Sequence, residues 1–202
     1  MVQKWLEAEL ARLPLNTEEY TRLHEKALLT IFGYQNHLRT VLPTQTKEEL
    51  SVTVLFKTGL EAVPEILLTG KLDRIDLGGD GRALRVVDYK TGKPKSRAAI
   101  LGETESSDGA YIRQLTFYAL LLSLYGDERY RTYNGVLSFV EAGTGGKIKE
   151  EHFTITEAEI ETLKEEIRNA ILGIISGAFL TDKELLEKSK YANLGKSLLQ
   201  NR

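Results

Sequence analysis

Asp73, in LTGKLDRIDL, and the pair Asp88 and Lys90, in VVDYKTGK, are the residues whose types and spacing could do chemistry together. Residues two apart on a strand share a face, so Asp88 and Lys90 project side by side from the apolar run Leu84, Val86 and Val87, which Thr91-Gly92 ends. Asp73 precedes Asp88 by 15 positions, and the turn Gly78-Gly79-Asp80-Gly81 between them predicts an antiparallel hairpin. If the turn centres near residues 79 to 81, the two aspartates stand roughly opposite, where cross-strand β-carbons lie about 4.5–5.5 Å apart. Carboxylates that close repel unless positive charge lies between them. Lys90 supplies part of it, and a hard divalent cation fits better, because Mg²⁺ is commonly held by one or two carboxylates together with waters and substrate phosphates. A neighbouring ammonium can then orient a water or stabilise charge developing on a phosphate. An isolated D-x-K is a common and weak surface ion pair, so its surroundings decide.

The 202 residues suit one domain with a large core, and 42% apolar with 28% charged residues is a soluble, globular balance. The apolar stretches are too short to span a bilayer and the N-terminus has no signal-peptide pattern, so a cytoplasmic location is expected. The absence of cysteine excludes disulfides, thiolate zinc sites and iron-sulfur ligation in this segment. Any metal must be held by oxygen or imidazole. The net charge of -2 does not mark a nucleic-acid binder, but charge acts locally. Arg82, Arg85, Lys90, Lys93, Lys95 and Arg97 are set against Asp88 alone between positions 82 and 97, a basic patch around the D-Y-K strand.

The elements that must position these groups follow from periodicity. Residues 17–42 have helical spacing behind an Asn16 or Thr17 cap, and Pro43 ends them. Residues 49–56, opened by Glu49, 66–77 and 84–89 read as a strand meander. A polar, mobile loop is expected over 92–109, then a buried helix in YIRQLTFYALLLSLY. Residues 132–140 and 147–153 predict two more strands, and Thr156 with Glu159 forms a capping box for a last helix. The fold class is α/β with a mixed central sheet flanked by helices. Asp76 and Arg74 share the motif with Asp73, but Asp76 lies three positions on and faces the other way, which favours a structural salt bridge.

The order of these motifs resembles the PD-(D/E)XK nucleases, and more narrowly the RecB-type nuclease domain at the C-terminus of UvrD/Rep-family helicases. G-K-L-D-R-I-D and V-V-D-Y-K-T-G-K supply its two halves. Gln114 and Tyr118 match that branch's Q-x-x-x-Y motif, whose i, i+4 spacing puts both on one helix face. The likeness covers roughly residues 15 to 180, with a restriction-endonuclease-like core and a polar tail over 181–202. The whole of 1–202 reads as one such domain, excerpted from a longer helicase-nuclease.

The resemblance implies that Asp73 and Asp88, with the Tyr89 carbonyl, hold Mg²⁺ or Mn²⁺, and that Lys90 is the catalytic lysine. It implies hydrolysis of a DNA phosphodiester in repair or recombination, with helicase motor domains as partners and no membrane. Gln114 and Tyr118 would contact DNA or brace the site. Lys93 and Arg113, with Arg85, Lys95 and Arg97, would guide a strand or a DNA end by phosphate contacts, while Tyr89, Tyr111 or Tyr118 would stack on bases. Glu49 is a possible accessory ligand. Relatives carry a histidine ligand in G-x-x-H-x-x-L-E; His24 fits it in part, without the glycine, and His37 and His152 fit less. The rival reading is a nuclease-like module that binds DNA or a helicase but does not cut, which metal-dependent turnover separates from an enzyme.

Overall fold

The computed structural model describes residues 2–143 and 145–178. The chain runs α1 (Val2–Leu10), α2 (Thr17–Val41), β1 (Gln45–Lys57), β2 (Glu65–Leu77), β3 (Ala83–Lys90), α3 (Arg97–Leu101), α4 (Ala110–Leu124), a short 3₁₀ turn, β4 (Asn134–Phe139), β5 (Lys149–Thr154) and α5 (Glu157–Ser176). It is an α/β fold with a mixed sheet in the order β1-β2-β3-β4-β5. Every neighbouring pair is antiparallel except β3 and β4, which run parallel. Parallel neighbours need a crossover, and α4 supplies it.

Local chemistry accounts for the helix starts. The Asn16 side chain accepts from the Glu19 amide while Glu19 reaches back to the Asn16 amide, and Thr156 and Glu159 repeat the arrangement for α5. The expected loop over 92–109 proves partly ordered: Ser96 caps α3, and Ile100 within it is fully buried. The expected start of the first strand also moves, since β1 opens at Gln45 and Glu49 lies inside it. The polar tail expected over 181–202 lies outside the described residues. None of the described helices is long and apolar enough to cross a membrane.

One face of the sheet carries the apolar core. Val52, Val54 and Phe56 alternate inward from β1, and Leu120, Leu121 and Leu122 of α4 are all but inaccessible. Each such side chain contributes about 1.5–3 kcal/mol through the apolar area it buries. α4 approaches β2 closely at Gly70, where an added Cβ would come 2.5 Å from Leu121 Cδ1. Gly70→Ala is therefore expected to lower stability by about 1–2 kcal/mol, as an overpacked core does; a urea midpoint equal to that of the wild type would contradict this packing.

The alternation of β2 slips between its halves. Leu68 and Leu72 face this core, yet so does Ile75, while Arg74 and Asp76 turn to the opposite face. The ladder with β1 skips Asp73, and its would-be partner Glu49 takes a left-handed φ of 55°. The disturbance on both strands lets Leu72 stay in the core while Asp73 next to it turns to the same side.

Candidate active site

The site is built where β2 parts from β3. Arg74 pairs with Val87 and Ile75 with Val86, and continuing that register by one residue sets Asp73 opposite Asp88. The ladder ends there, and the Asp73 side chain takes over: its Oδ2 accepts the Tyr89 amide at 2.8 Å. One aspartate thus joins the strand ends as a backbone carbonyl would, and its second oxygen is spared.

Asp88 is 2% exposed, and its Oδ2 lies 2.7 Å from Lys90 Nζ. Lys90 therefore meets this buried oxygen directly as a charged partner, and its ammonium lowers the cost of burying the carboxylate. Asp88 Oδ1 accepts from the Tyr118 hydroxyl at 3.1 Å, and Tyr118 in turn accepts from Gln114 Nε2 at 2.8 Å. Gln114 Oε1 accepts from Lys90 at 2.5 Å. Asp88, Tyr118, Gln114 and Lys90 therefore close a ring. The ring works because α4 presents Gln114 and Tyr118 one turn apart on the face that covers β3. Tyr111, one turn earlier, holds Lys90 Nζ 4.5 Å from its ring centroid.

The electrostatics follow from burial. Loss of water pushes the Asp88 carboxyl up from its ordinary range, Lys90 and the Tyr118 hydroxyl pull it back, and the charge of Asp73 pushes it up again. Burial and the Asp88 charge raise the Tyr118 phenol far above its usual value, so it remains a donor. Two hard-oxygen carboxylates at adjoining strand positions are a donor set that fits Mg²⁺ or Mn²⁺. Among the described residues no group of three or more His, Cys, Asp or Glu side chains is gathered for a metal. Further ligands would have to be a backbone carbonyl, waters or phosphate oxygens.

Three sequence candidates stand apart from this cluster. Glu49 is exposed and ion-paired with Lys71. His24 stacks on Tyr20 and its Nε2 lies 3.7 Å from Glu7, so it faces α1. Arg113 donates to the Asp108 carbonyl at 3.0 Å and pairs with Glu166. His37, by contrast, is 3.1 Å from Glu150, as a satisfied histidine is. Arg97 also has structural partners, the His152 carbonyl and Glu151, with its guanidinium over Phe153.

The face opposite α4 carries a network that sequence reasoning found only in part. Arg74, fully buried, donates from Nε to Asp76 Oδ1 at 2.7 Å and from Nη1 to the Tyr89 hydroxyl at 2.7 Å. Arg85 donates to Asp76 Oδ2 at 2.7 Å. Asp76 is thus the structural ion-pair partner its position suggested. Tyr34 of α2 meets the Tyr89 ring edge-on at 5.8 Å and shares a hydrogen bond of 2.6 Å with Ser138. Tyr89, between Asp88 and Lys90, is held from behind.

The chain belongs to the PD-(D/E)XK nuclease superfamily, whose family model matches residues 1–184. Nothing among curated proteins matches it. The crystal structure of SSO0001 is similar at 17% identity and a TM-score of 0.41, covering 81% of this chain and 64% of that one. The chain thus spans less than two thirds of that protein's length.

Proposed function

We propose that this chain is a divalent-metal-dependent deoxyribonuclease domain acting beside helicase motor domains in DNA repair or recombination. The observation that carries the reading is the buried Asp88 carboxylate, whose Oδ2 pairs with the Lys90 ammonium at 2.7 Å where the β2–β3 register brings Asp73 opposite. Asp73 and Asp88, with the Tyr89 carbonyl, would hold Mg²⁺ or Mn²⁺, which supplies Lewis acidity toward a water and the scissile phosphate when bound. Lys90 stabilises the charge added to the phosphate, and Gln114 and Tyr111 keep its ammonium in place. Tyr118 fixes Asp88 through Oδ1 and so leaves Oδ2 to Lys90. The helicase setting rests on the order of motifs, Q-x-x-x-Y included.

End-labelled single-stranded DNA incubated with the protein in Mg²⁺, Mn²⁺ or EDTA tests the reading. Cutting in either metal and none in EDTA is the expected outcome. Strand binding without cutting in both metals would instead identify the silent module, a reading favoured by the separation of His24 from the carboxylates.

A further inference from the structure

β3 and β4 end side by side, Lys90 beside Phe139, and the chain beyond each strand forms a cleft of about 670 Å³. Crevices at the carboxyl ends of parallel strands are common ligand sites. This one is lined by Lys93, Lys95 and Ser96 from one side and by Glu141, Lys147 and Lys149 from the other. Its charge is one-sided. Glu141 is paired with Lys26 at 2.9 Å, and Lys149 with Glu151 at 2.8 Å. Lys93, Lys95 and Lys147 have no carboxylate partner among the described residues, so three lysines without a counter-ion line one cavity.

Tyr111 ties this cleft to the carboxylate site. Its ring has Lys90 Nζ 4.5 Å from the centroid and Lys95 Nζ 4.4 Å from it. Two like charges gathered at one ring repel, and an anion in reach of both relieves the repulsion. The loop carrying Lys95 is held in place, since its carbonyl accepts from Lys149 Nζ at 2.8 Å. The cleft is therefore a fixed surface that continues from the ammonium of Lys90.

We infer that the cleft carries the sugar-phosphate backbone of the strand next to the scissile phosphate, through Lys93, Lys95 and Lys147. The inference rests on the nuclease reading and adds the path of the substrate. Lysine is a point charge without the planar fork that reads base edges or clamps a phosphate in two places. Recognition in the cleft is therefore by backbone charge and independent of sequence. Arg113 and Arg97, engaged elsewhere, have no part in this path.

Binding of a fluorescent, mixed-sequence single-stranded oligonucleotide in EDTA, where nothing is cut, tests the path as salt is varied. Lys93→Gln/Lys147→Gln is expected to weaken binding roughly tenfold at moderate salt and to flatten the log-affinity against log-salt slope by about 0.7 for each phosphate that is no longer neutralised. Lys4→Gln/Lys57→Gln, with the same change in net charge away from the cleft, serves as control and keeps the wild-type slope. Thermal melts establish that both variants fold. Equal slopes for wild type and the cleft variant, with the wild type binding and cutting, would overturn the path and leave the nuclease standing. A wild type that shows no salt-dependent binding also overturns the path, and one that in addition cuts in neither metal overturns both.

Discussion

Asp88→Asn is expected to abolish metal-dependent cutting, by at least about a thousandfold, and to abolish the thermal stabilisation given by Mn²⁺. Lys90→Met is expected to lose cutting on the same scale but to keep that stabilisation. The two substitutions separate two roles. An amide at 88 removes the charge that the carboxylate would offer a cation, so the donor set is broken. A methionine at 90 leaves both carboxylates and takes away only the ammonium that would meet the charge added to phosphate. Cation binding at a hundred times its dissociation constant stabilises the native state by about 2.7 kcal/mol. For a domain of this size that is a rise in Tm of roughly 5–10 °C, easily read by scanning calorimetry. A Lys90→Met protein that cuts at the wild-type rate would reduce Lys90 to a counter-ion of Asp88.

Arg74→Leu is expected to be the costliest single change away from the site, at about 3 kcal/mol, with a fall in Tm on the order of 10 °C. Arg74 and Asp76 are both 1% exposed at the side chain and lie 2.7 Å apart, so removing the guanidinium leaves a buried carboxylate with only the partly exposed Arg85 to hold it. The guanidinium is held in its charged form chiefly by Asp76, against the effect of burial. Arg74→Lys should recover only part of the loss, because a compact ammonium lacks the planar fork whose three nitrogens reach both Asp76 oxygens and the Tyr89 hydroxyl. Urea unfolding measures both. A loss for Arg74→Leu under about 1 kcal/mol would show that an apolar side chain serves equally well there.

Much of this architecture was legible in the sequence because it is local. The capping boxes at Asn16 and Thr156, the glycine turn that sets Asp73 against Asp88, and the all-round apolar α4 each depend on residues within a few positions of one another. The i, i+4 pair Gln114 and Tyr118 was readable for the same reason, although only the fold shows that it closes a ring through Lys90 and Asp88. What escaped depends on distant partners or on backbone irregularity. Glu49 is no turn residue, so nothing in its type announces a left-handed φ, and strict alternation would have put Leu72 and Asp73 on opposite faces. α3 is short and polar at its start, and only the burial of Ile100 makes it an element. Tyr34 reaches Tyr89 from α2, and Lys147 meets Lys93 only where the loops after β3 and before β5 line one cleft; neither spacing leaves a periodic trace.

The two sides of the β2–β3 hairpin differ in sign. On the side of α4 stand Asp73, Asp88 and Lys90, one net negative charge; on the side of α2 stand Arg74, Arg85 and Asp76, one net positive charge. The hairpin is neutral as a whole but polarised across its thickness, so the guanidiniums offset from behind part of the repulsion between the two aspartates. On the proposed reading, one divalent cation would turn the outer side from a single negative to a single positive charge, and one phosphodiester would bring it to neutrality.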